Sequence, residues 1–107
     1  MITRPNDLII LGIELFFNQR LFFEIEIDLF HINKNGRSRF DALEIKDAFQ
    51  IQLQGKSFAP SSTRVFGPEI CEYFIVILDL RSKKHKLVFC ICSDRPQTIG
   101  IITFHRI

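Results

Sequence analysis

The chain has 107 residues, 47% of them hydrophobic, with twelve Phe and no Trp, which sets one domain with enough apolar side chain for a core and excludes a disordered segment. The net charge of +2 is unevenly spread, because residues 1–30 hold two basic against five acidic side chains and residues 31–107 hold twelve against seven. A basic remainder of that size favours polyanions, RNA among them, through phosphate attraction and counterion release.

The run "LIILGIELFF" is ten residues long with Glu14 inside it, well short of the roughly 20 apolar residues of a membrane helix. Arg4 is the one basic residue before it and no small-residue cleavage site follows, so neither a membrane span nor a signal peptide is expected. From Pro5 to Arg20 the expectation is a helix capped by Asn6 or Asp7, burying Leu8, Leu11, Leu15 and Phe16 and ending at Asn18 and Gln19. The alternative is a strand that turns at "NQR" into the next one. In "LFFEIEIDLFHI" the residues Leu21, Phe23, Ile25, Ile27 and Leu29 alternate with Glu24, Glu26 and Asp28, which predicts a strand with one core face and one wet face. The same alternation carries His31 to the apolar side, and "NKNG" ends the strand.

Asp41 has the character of an N-cap, with Glu44 three residues on for a capping box and Phe40 placed to staple onto Ile45. Gly55 is a natural stop, although the alternation of "FQIQLQ", residues 49–54, also suits a strand and predicts an early end to the helix. Residues 55–69, rich in Gly, Pro and Ser, read as a long connection. A meander follows: "CEYFIVILDL", a turn at "RSKKH", "KLVFCIC", a turn at "SDRPQ", and "TIGIITFHRI". The expected fold is a small single α+β domain over residues 1–107, a curved antiparallel sheet of about four strands with one or two helices on one face.

Cys71, Cys90 and Cys92 are odd in number and lack the spacings of a secreted disulfide scaffold, which points to a reducing cytoplasmic setting, and in "LVFCIC" the period of two sets Cys90 and Cys92 on one strand face as small hydrophobes. No CxxC pair or His at ligand spacing supports a metal, and no cofactor is expected. In the closing strand, alternation sets Ile99, Ile101, Thr103 and His105 on one face and Ile102, Phe104 and Arg106 on the other. His105 can shuttle protons near neutral pH and Thr103 can hold a phosphate or a water; polar residues on a fraying strand explain the pattern as well. His31, Lys34, Arg37 and Arg39 surround the strand-to-helix turn, where cations and a helix N-terminus can gather around a phosphate. The same turn brushes against a calcium-binding loop and is rejected as one: with Gly36 as the obligatory glycine, Ala42 stands where the bidentate Glu belongs and three cations crowd the site. Arg64 in "SSTR" and the basic tip "RSKKHK" are further phosphate contacts or plain solvated turns. With no Ser-His-Asp order, Gly-rich phosphate loop or HExxH present, metal-free RNA cleavage is the chemistry that a few His, Arg and Lys can supply.

The meander "YFIVILDL…KLVFCIC" and the ending "IGIITFHRI" resemble the small RNase toxins of the RelE and ParE type, within the broader grouping of barnase-like, EndoU-like, colicin-like and RelE-like toxin domains. The resemblance covers roughly residues 40–107, and the strand "LFFEIEIDLF" departs from it. It implies a metal-independent endoribonuclease toxin acting through Thr103, His105 and Arg106, with His31 and Arg37 or Arg39 as partners. Its targets would be RNA and a cognate antitoxin or immunity protein, with a homodimer also open. A ParE-like chain without RNase action is a weaker variant. The alternative from another class is a non-catalytic protein-binding module, such as an immunity protein or an assembly subunit, using the acidic face of Glu24, Glu26 and Asp28 or an exposed strand. The nuclease reading requires the end of the closing strand to lie beside the basic bend near Gly36.

Overall fold

In the computed structural model, which describes residues 8–33 and 39–107, the first element is strand β1 (Leu8–Phe17), followed directly by β2 (Arg20–Asp28). Residues 8–17 are therefore a strand and not the expected helix; residues 5–7 lie outside the described residues. Asn18 and Gln19 have φ of 52° and 62°, the left-handed pair that a two-residue hairpin turn needs and that Asn tolerates. Ile9, Leu11, Ile13, Leu15 and Phe17 turn inward along β1. The apolar character of the outward residues Leu8, Ile10 and Phe16 hides that period.

After the hairpin come a short helix α1 (Leu29–Asn33), the helix α2 (Ala42–Leu53), and strands β3 (Ser62–Phe66), β4 (Glu69–Leu80), β5 (Lys83–Cys92) and β6 (Arg95–Arg106). They form one six-stranded sheet in the order β1-β2-β6-β5-β4-β3. The class is α+β as expected, but the sheet is larger than four strands and mixed, because β2 and β6 pair in parallel. The meander β4-β5-β6 is antiparallel throughout. The connection expected over 55–69 contains β3, which turns into β4 at Gly67 (φ 60°) and Pro68. The turn between β4 and β5 is only Arg81 and Ser82, both with positive φ.

Two shifts of register redirect side chains. Between Gly12 and Leu15 two residues of β1 face one of β2, so Phe22, Ile25 and Ile27 are buried while Leu21 and Phe23, expected in the core, are 55% and 50% exposed. In β6, Ile102 is an extra residue between the pairs Phe89↔Ile101 and Val88↔Thr103, and Phe104 becomes the buried side chain, 2% exposed. A bulge breaks the period of two, which a pattern read along one strand cannot register.

The core lies between the inner face of the sheet and α2, where Phe74 and Phe89 stack at 4.9 Å and Phe49 of α2 meets Phe89 edge-on at 4.9 Å. Asp41 caps α2 and Glu44 returns to the Asp41 amide at 2.9 Å, the expected capping box. The helix does not end early: "FQIQLQ" is helical to Leu53. At 100° per residue, Gln50 and Gln54 share one side of the helix and Gln52 takes the other. Gln50 Nε2 and Gln54 Nε2 each donate to the Glu14 carbonyl at 3.0 Å, and Gln54 Oε1 accepts from the Phe16 amide at 2.6 Å. On the far side, Gln52 Nε2 donates to the Asp79 carbonyl at 2.7 Å and Gln52 Oε1 accepts from the Asp79 amide at 2.9 Å. The three glutamines thus occupy main-chain groups that β1 and β4 turn away from their neighbours, and the sheet curls around α2 with the helix bridging strands that are four places apart.

Cys71 and Cys92, in register across β4 and β5 and 21 residues apart, form a disulfide, which leaves Cys90 as the free thiol. This corrects the reading of Cys92 as a small hydrophobe and removes the support that the cysteines gave to a reducing compartment. Hairpin register, invisible in the spacing, brings the pair together.

Candidate functional site

His31 sits on α1 and not at a strand end. Its amide donates to Asp28 Oδ1 at 3.1 Å and the residue is exposed, while Ile32 enters the core. Lys34 and Arg37, with Gly36, lie outside the described residues. On either side of them, Asn33 clasps Phe40, accepting from its amide at 2.8 Å and donating to its carbonyl at 3.1 Å. Phe40 packs on Phe104 at 4.9 Å, so the chain leaving the bend does meet the closing strand.

The closing strand nevertheless divides its polar residues between two faces. His105 and Thr103 are outward, opposite Lys86 and Val88. Arg106 pairs with His85 on the helix side, the side of Arg39, whose carbonyl accepts from Arg81 Nη2 at 2.8 Å. Arg64 lies in β3 with its guanidinium over the Tyr73 ring at 5.3 Å. Its register partner Cys71 faces Cys92, six residues along β5 from Lys86, so roughly 20 Å of strand separates Arg64 from His105. Among the described residues, no three His, Cys, Asp or Glu converge as a metal-holding group.

His85, which the sequence pattern assigns to a basic hairpin tip, is instead 3% exposed. It stacks on Phe104 at 4.9 Å and meets Phe40 edge-on at 5.3 Å, with Nδ1 3.1 Å from the Lys83 carbonyl. Burial lowers its pKa below the usual histidine value, and the charges of Arg106 and Arg81 act in the same direction. The signal for its burial is the alternation His85, Leu87, Phe89, Ile91. Nearby, Arg81 binds both carboxylate oxygens of Glu44 at 2.9 and 2.6 Å and lies over Phe40. The hydrogen bond from Arg81 holds the Glu44 carboxyl below its ordinary pKa.

The acidic face of β2 is partly engaged within the chain. Glu26 pairs with Arg95 at 2.8 Å, Glu24 accepts from the Thr98 hydroxyl at 3.1 Å, and Asp28 caps α1. The Glu26 bond raises the Arg95 pKa. Burial raises that of the Cys90 thiol, which keeps it protonated and a poor nucleophile.

The outer face of the sheet also carries two groups of exposed apolar side chains, one on β1 and β2 and one on β4, with β6 and β5 between them. Ile10, Phe16, Leu21, Phe23, Ile75 and Ile77 are each 44% to 55% exposed. Around the first hairpin, Phe16, Leu21 and Phe23 line a groove of about 540 Å³ with Arg20 and Pro96. At the other side of the sheet, a groove of about 380 Å³ runs along β4 from Phe74 to Leu78, walled by Gln52, Leu53, Lys56, Phe58 and Ala59. No known family, curated protein or solved structure matches this chain. No helix among the described residues is long and apolar enough to cross a membrane.

Proposed function

We propose that this chain is a non-catalytic protein-binding module, of the kind that serves as an immunity protein or an assembly subunit. The observation that supports it is the outer face of the sheet, where six large apolar side chains from β1, β2 and β4 stand half exposed. Exposed apolar surface of this kind is typical of interaction sites. The test is recovery of a partner from source cells by the tagged chain, compared with Phe23→Asp and Ile77→Asp variants that keep the wild-type circular dichroism spectrum. A partner held by the wild type and lost by both variants is the expected result. Equal recovery by all three proteins overturns the reading.

One observation favours the endoribonuclease toxin as a second reading: His105 is exposed directly across from Lys86, with Thr103 two residues back on the same face. A cytoplasmic setting, RNA as substrate and a neutralising antitoxin belong to that reading. Incubation with RNA in EDTA decides between the two. Cleavage that disappears in His105→Ala or His31→Ala establishes the nuclease, and intact RNA at high protein excess removes it.

A further inference from the structure

The two-residue turn at Arg81 and Ser82 makes Leu80 and Lys83 a hydrogen-bonded pair. Even-numbered residues of β4 therefore direct their amides and carbonyls to β5, and odd-numbered ones direct theirs to the opposite edge. Three observations agree. The Tyr73 carbonyl accepts from the Ser61 amide at 2.7 Å, Cys71 pairs with Arg64 of β3, and both main-chain groups of Asp79 bind Gln52. Between these fixed points lie Ile75 and Ile77. Their amides and carbonyls face the groove of about 380 Å³, with no protein partner there among the described residues. β3 pairs with β4 only as far as Tyr73, and Gln52 closes the other end at Asp79.

We propose that this window of β4 takes an extended peptide segment as an added strand, apolar on alternate residues and carrying a carboxylate for Lys56. The proposal rests on the binding-module reading and names the partner element it recognises. Main-chain pairing gives the affinity and the side-chain pockets give the selectivity. The floor is apolar through Phe74, Val76 and Leu78, which favours apolar side chains on the inward positions of the peptide. Of the lining residues only Lys56 is charged. Lys56, Phe58 and Ala59 also line the groove.

The experiment is selection from a display library of random heptapeptides, followed by amide NMR titration with the best synthetic peptide. Alternating apolar residues with an acidic group should be enriched, and the peptide should shift the Ile75 and Ile77 amides and slow their exchange. N-methylation at alternate peptide positions should weaken binding tenfold or more at one set of positions and less than twofold at the other. Ile75→Pro removes an edge-facing donor that no ladder bond uses, and it should abolish binding. Lys56→Gln, an exposed change, should weaken binding several-fold even if the proline variant does not fold. Selected peptides that leave the Ile75 and Ile77 amides unmoved overturn the added strand while leaving the binding module intact. No enrichment, with partner recovery still dependent on Phe23 and Ile77, likewise overturns the added strand alone; loss of both overturns the two together. Concentration-dependent dimers that protect the same amides without peptide overturn it in favour of a second copy.

Discussion

Replacing Gln52 with Ala tests the claim that α2 holds the sheet through main-chain groups. The side chain makes two hydrogen bonds to Asp79, at 2.7 and 2.9 Å. A net contribution of about 0.5–1.5 kcal/mol for each gives about 1–3 kcal/mol, and the lower half of that range applies because Asp79 is exposed and water replaces part of the loss. A loss of about 1–2 kcal/mol in a domain of this size lowers the melting temperature by roughly 4–16 °C. Gln52→Glu keeps the acceptor for the Asp79 amide but not the donor to its carbonyl, and should fall between. Ile51→Ala serves as control, since Ile51 is 77% exposed and such a change should stay within about 0.5 kcal/mol. The assay is urea unfolding with the slope fixed by the wild type, together with hydrogen exchange at the Asp79 amide, which should accelerate in Gln52→Ala. A midpoint for Gln52→Ala equal to that of Ile51→Ala, with exchange unchanged, refutes the reasoning.

His85 sets a second expectation. Its folded pKa is lowered by burial, so the unfolded chain binds the proton more readily, and the stability this site contributes is present above about pH 6.5 and declines as pH falls below it. Urea midpoints at pH 7.5, 6.5 and 5.5 should fall for the wild type and for His105→Gln, and fall less for His85→Phe; equal slopes in the wild type and His85→Phe would remove the assignment. The third concerns the bridge between Cys71 and Cys92, which closes a loop of 21 residues. Its loss in Cys71→Ser should cost about 2–4 kcal/mol, with a matching drop for the wild type under reducing agent. A reducing agent that leaves the wild-type midpoint unchanged counts against the bridge as a stabilising link.

The meander was legible because buried and outer residues alternate from Phe74 to Asp79 in β4, from His85 to Cys92 in β5 and from Ile99 to Ile102 in β6. The start of α2 was legible for a local reason: Asp41 and Glu44 complete a box that requires nothing from the rest of the chain. β1 was not, because both of its faces are apolar and Leu8, Leu11 and Leu15 happen to fit a helical spacing. "QIQLQ" carried a strand period in a helix because glutamines two apart are needed on opposite sides of α2. At the candidate surfaces, His105 was correctly placed with Thr103 on one face, but Ile102 moves that face away from Ile101. The open edge of β4 depends on where β3 stops, and a strand that is exposed along its whole length leaves no period to read.

The parallel contact between β2 and β6 has a consequence for assembly. It joins Glu24 to Thr98 and Ile27 to Ile101, and in the strand order it is the junction between the opening hairpin and the later meander. The paired residues lie far apart in the sequence, and such non-local pairing raises contact order and slows folding. Until that contact forms, the edge of β2 that β6 covers has unpaired main-chain groups, and an unpaired strand edge invites association with other chains.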